Sequence, residues 1–127
     1  MLQRAATLVL ALVAIGCSSR MAIQTVSRPN PPPLVPRSPS CSLPVYAHDA
    51  PIDASCVEVG DVYVGDTGWS IDCGLERVRA LVQEQACRFG ADAAQIVSHH
   101  EPSFFGSTCH QMRARLLACK PEEPDAV

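Results

Sequence analysis

Cys41, Cys56, Cys73, Cys87, Cys109 and Cys119 constrain this chain more than any other feature, because no two of them stand closer than ten residues apart. That spacing leaves no Cys-x-x-Cys for thiol exchange, no haem attachment motif and no zinc-knuckle pattern. Six widely spread thiols in a short chain read as three structural disulfides, and these persist only in an oxidising compartment. A seventh cysteine, Cys17, stands alone near the start.

Export is written ahead of Cys17. One positive residue, Arg4, precedes the twelve uncharged residues Ala5 to Gly16, which are dominated by Ala, Leu and Val. A spanning helix needs ~20 apolar residues, whereas a charged start, an apolar run of ~7–15 residues and a small-residue exit describe a secretory signal. Residues 1–16 are therefore expected to be a signal peptide. The segment Ala14-Ile15-Gly16-Cys17 resembles the lipobox of bacterial lipoproteins, with Ala14 where Leu is usual. That resemblance implies a diacylglycerol on the Cys17 sulfur, cleavage before it and acylation of the new amino group. Several acyl chains on one residue make a stable anchor where a single chain does not. Ser18 in place of Asp resembles the sorting preference for the outer membrane.

Removal of residues 1–16 leaves 111 residues, enough for one small domain and a tail. Losing Arg4 leaves nine Lys and Arg against 13 Asp and Glu, a net charge of −4. No basic stripe points to nucleic acid and no Lys/Arg cluster to anionic lipid. From Ser27 to Pro44 seven prolines fall in eighteen residues. Such a run favours extended polyproline II, and at ~3.1 Å per residue a tether over residues 17–40 holds a domain up to ~70 Å from its lipid. The globular domain is expected over 41–120, followed by a flexible acidic tail at 121–127.

Within that domain, Leu43 to His48 is expected as a short first strand and Cys56 to Gly65 as a second. Val57 and Val59 share one face but Val62 and Val64 have the opposite parity, so a bulge is expected at Gly60. Asp72 is a suitable N-cap for a helix from Gly74 to Phe89, whose Leu75, Val78, Leu81, Val82, Ala86 and Phe89 form one apolar stripe. Gly90 suits a left-handed C-cap. Ala93 to Glu101 and His110 to Cys119 alternate as strands. The expected fold class is α+β: a small, four-stranded, mainly antiparallel sheet in the order β-β-α-β-β, with the helix packed on one face and disulfides bracing it.

The stripe places Cys87 on the polar side of the helix, among Glu76, Gln83 and Glu84, where no core needs it. A covalent reason follows: Cys41, ahead of the first strand, is bolted to Cys87. Cys56 and Cys119 lie at adjacent strand ends on the side away from the helix, which leaves Cys73 with Cys109. Fifteen pairings are possible for six cysteines, and sequence alone does not select among them.

Glu58-Val59-Gly60-Asp61-Val62, the helix ending in Gly90-Ala91-Asp92-Ala93, and a final strand from Cys109 to Cys119 together resemble the globular part of RcsF-type outer-membrane lipoproteins. The resemblance implies a disulfide-braced domain on the outer membrane, facing the periplasm or the cell surface. It further implies a domain that binds or senses other envelope components, needs no cofactor and is not an enzyme. Cys41 and Cys87 have no counterpart in that family.

No Gly-x-Ser-x-Gly elbow, P-loop, His-Glu-x-x-His or dinucleotide fingerprint is present. In a hairpin centred near Phe105, His100 falls opposite His110, which gives the alternative reading of a periplasmic redox or metal (zinc or copper) handling protein. Two imidazoles are too few for a closed site, so no metal ligands are assigned. Trp69, Phe104 and Phe105 fall in loops and are candidates for an exposed contact patch that docks an envelope protein.

Overall fold

The computed structural model describes residues 20–120. The expected signal peptide, the Cys17 lipidation site and the acidic tail at 121–127 lie outside the described residues. Five strands and one helix follow in the order β1 (Ala22–Ser27), β2 (Val45–Tyr46), β3 (Cys56–Gly65), α1 (Leu75–Phe89), β4 (Ala93–His100) and β5 (Gln111–Cys119). They form one sheet, β1-β3-β5-β4-β2, antiparallel except for the parallel pair β2–β4.

Two expectations are corrected here. The sheet has five strands rather than four, because Ala22–Ser27 joins the edge of β3. The Pro-rich run is no free spacer either: it carries the chain from the β1 edge to the β2 edge across the C-terminal end of α1. Prolines suit this path because an extended crossing needs no ladder bonds. Polar contacts fasten it at intervals. The Arg28 amide donates to the Val59 carbonyl (2.9 Å) and its guanidinium pairs with Glu58 and Asp61. The Arg37 amide donates to the Cys87 carbonyl (2.8 Å) and its guanidinium pairs with Asp92. The folded body thus begins well before Cys41, and its β2 strand runs parallel to β4 because the chain arrives from the same end.

The core lies between α1 and one face of the sheet. Val78, Leu81, Val82 and Ala86 of the helix meet Val59, Val62, Val64, Ala94, Ile96, Met112, Ala114 and Leu116. Val59 and Val62 both reach this core because the β3–β5 register shifts between Glu58 and Gly60. A Cβ at Gly60 would lie 2.7 Å from the Val26 carbonyl oxygen and 2.9 Å from the Phe89 ring, so the bulge also admits that ring. Gly90 closes the helix with φ +87°, its amide donating to the Ala86 and Cys87 carbonyls. The N-terminus departs from expectation: Gly74 is the N-cap with no side-chain bond, and exposed Asp72 instead pairs with Arg77 at 3.5 Å.

On the opposite face, buried Gln95 donates its side-chain amide to the carbonyls of Ala47, His48 and Ala50 at 3.1–3.3 Å. Those bonds hold the segment between β2 and β3 against the sheet. A one-residue register shift between Ile96 and Ser98 turns the end of β4.

Candidate functional site

The topology gathers the chain into two unlike ends. At the first, β3 begins, β4 begins, β5 finishes and the Pro-rich run crosses. At the second, β3 finishes, α1 begins and the β4–β5 hairpin turns. Each end carries a disulfide. Cys56 pairs with Cys119 (Cα–Cα 3.9 Å) at the first and Cys73 with Cys109 (5.1 Å) at the second, while Cys41–Cys87 (5.9 Å) fastens the crossing segment to the helix. Cys87 is fully buried rather than solvent-facing, because the crossing segment covers it. Gln83 supports the same join, donating its side-chain amide to the Cys41 carbonyl at 2.9 Å. Burial of Cys87, Cys73 and Cys109 keeps an attacking thiolate away from their sulfurs.

The second end is polar inside and apolar outside. Asp66 organises it: one carboxylate oxygen accepts the Gly68 amide (2.8 Å) and the other the Ser107 hydroxyl (2.6 Å), linking the two loops. These bonds, that of Ser107 first, hold the Asp66 carboxyl below its ordinary range. The His110 amide donates to the Cys73 carbonyl (3.1 Å), and Gln111 accepts from the Tyr63 hydroxyl (3.0 Å) and the Asp66 amide (3.2 Å). With loop polar groups bonded inward, the large side chains are left outside: Trp69 is 75% exposed, Phe104 93% and Phe105 98%, the two phenylalanines meeting edge to face at 5.2 Å. Ile71, 82% exposed, joins them and was not singled out from sequence. Its signal was an isoleucine between Ser70 and Asp72, outside any apolar period.

The histidines meet differently from the expected pairing. The shift in β4 moves His100 opposite Gln111, and His99 instead reaches His110, ring nitrogens 2.7 Å apart and rings stacked at 5.0 Å. One N–H is thereby directed at the other ring's lone pair rather than at a common ligand. Among the described residues no group of three His, Cys, Asp or Glu side chains gathers to hold a metal ion.

The first end carries a groove of ≈ 440 Å³ between the crossing segment and the β5 terminus, lined by Pro33, Leu34, Val35, Val57, Gly90 and Ala118 among others. Sequence reading missed it because its walls come from segments remote in the chain. Among the described residues no helix is long and apolar enough to cross a membrane. Comparison of the chain with protein-family models, with curated proteins and with solved structures found no match.

Proposed function

We propose that this chain is a lipid-anchored lipoprotein of the bacterial outer membrane, a non-enzymatic binding or stress-sensing module similar to the RcsF type. The observation that carries the reading is the cysteine pairing. Six of the seven cysteines are bonded to one another, so none of them is available to Cys17, which ends the apolar run of a signal segment. A thiol reserved in that position suits lipid attachment. The braced body supports a binding role rather than chemistry: its exposed features include an apolar loop end and a groove. Trp69, Phe104 and Phe105 are the contact residues of this module.

Labelled palmitate fed to cells tests the anchor. Incorporation into the wild-type chain and none into Cys17→Ser is the expected outcome. Equal labelling of both, or of neither, contradicts it.

A further inference from the structure

The geometry points to the bilayer surface as the occupant of the aromatic loop end: Trp69, Ile71, Phe104 and Phe105 dip into the membrane interface beside the anchor, so that the body sits down on the membrane. This deepens the proposed function and rests on its lipidated Cys17.

Chain length places this end of the body near the lipid. The Ser70 hydroxyl donates to the Arg20 carbonyl at 3.3 Å, which ties the start of the described chain to the very loop that carries Trp69 and Ile71. Only three peptide steps separate Arg20 from Cys17, and at ~3.8 Å each they span at most ~11 Å. The interfacial layer of one leaflet is ~5–8 Å deep. A lipid on Cys17 therefore keeps Arg20, and the loop bonded to it, within about two headgroup depths of the acyl chains. The sheet direction agrees, because Ala22 of β1 lies opposite Gly65 and not opposite the Cys56 end of β3.

The chemistry at that end suits such a surface. Tryptophan and other aromatic rings favour the membrane–water interface. Here four large apolar side chains project from two loops joined by Cys73–Cys109 and by the Ser107–Asp66 bond. Two of the carboxylates at this end are engaged, Asp66 within the loop and Asp72 with Arg77, while exposed Glu101 stands back at the base of the hairpin, three residues before Phe104. Rigid loops present these rings with little ordering left to do on insertion.

Trp69 is the single tryptophan of the chain and reports on its own surroundings. The acylated protein is reconstituted in phosphatidylethanolamine–phosphatidylglycerol vesicles containing lipids brominated along the acyl chain. The expected result is at least about twofold quenching of Trp69 by the bromolipid and shielding from aqueous acrylamide. Phe104→Ser with Phe105→Ser should lower that quenching without shifting the melting temperature. Val35→Ser, an equally exposed site at the other end, should leave it unchanged. A Trp69 open to acrylamide and untouched by bromolipid, in protein whose mass carries the lipid on Cys17, overturns the proposal while leaving the anchor standing; the loops then face a protein partner. If the mass shows no lipid, the anchor fails instead, and sedimentation of the unacylated chain with the same vesicles decides the patch. Binding lost in the double Phe variant supports it, and no binding overturns it.

Discussion

The two ends of the sheet solve the same problem in opposite ways. At both, loops must be held together where the sheet gives out, and at both a disulfide does it. At the first end, the Pro-rich crossing lays Leu34 onto the core. There Asp92 joins the Arg37 guanidinium to the Cys119 amide, which donates to it at 2.8 Å. The second end turns its polar groups inward on Asp66 and leaves its rings in solvent. A loop that spends its hydrogen bonds on itself and its apolar side chains on the outside is arranged for something other than its own stability. That difference separates an end that closes the fold from an end that leaves its large apolar side chains open.

The largest expected effect tests the closing end. Cys56→Ser with Cys119→Ser removes a link between residues 63 apart in sequence and should cost ~4 kcal/mol, a large share of the ~5–15 kcal/mol that a small domain has. Thermal unfolding of the paired variant reads this directly, and full reduction of the three bridges should abolish the transition.

Next come two glycines with nearly equal φ and unlike surroundings. Gly90 and Gly68 have φ of +87° and +86°. A Cβ at Gly90 would lie 2.7 Å from the Val35 carbonyl oxygen, while one at Gly68 meets nothing within 4 Å. Gly68→Ala should cost only the left-handed penalty of ~1 kcal/mol. Gly90→Ala should cost ~2 kcal/mol or more, since the crossing segment must also give way. Equal costs in denaturant titrations would erase the distinction between a packed end and an open one.

A smaller effect is expected with acid. The folded Asp66 carboxyl is held below its ordinary value, so its contribution is present above the unfolded value of ~4 and is lost as pH falls through the folded one. Trp69 emission should therefore change below about pH 4 as the loops separate, before the Cys56–Cys119 end responds. In Asp66→Asn that acid step should be missing. Smallest of all, Phe104→Ser with Phe105→Ser should alter unfolding free energy by no more than ~0.5 kcal/mol, as for other exposed sites; a larger loss would mean that the rings pack.

How much of this was legible depends on which physical signal each element carries. The helix declared itself because its stripe must bury, and the bulge at Gly60 because Val59 and Val62 cannot otherwise reach the same core. Cys87 on the polar side of the stripe signalled a cover, although the cover's effect, complete burial of that sulfur, needed the path of the crossing chain. Strand β1 was silent: all six of its residues are exposed, so no buried alternation marks it, and the first proline, Pro29, follows two residues after Ser27. Its tie to the core is Met21, one residue outside the strand. The β4 shift was hidden for a different reason. Ala93 to Val97 is apolar at nearly every position, and a parity break shows only where apolar and polar residues alternate. Without it His100 was set opposite His110, and the contact belongs to His99. At the second end, Trp69, Phe104 and Phe105 were legible as loop aromatics, but their placement at the same end of the sheet as Arg20 is a property of topology.

Cys17 is set apart from six cysteines that pair with one another. The most direct test is the intact mass of the mature protein isolated from the envelope and alkylated without reductant. It should begin at Cys17, carry the added mass of diacylglycerol and an amide-linked acyl chain, and take up no alkylating reagent. A bare amino terminus at that residue, or labelling at any of the six sulfurs from Cys41 to Cys119, would contradict it.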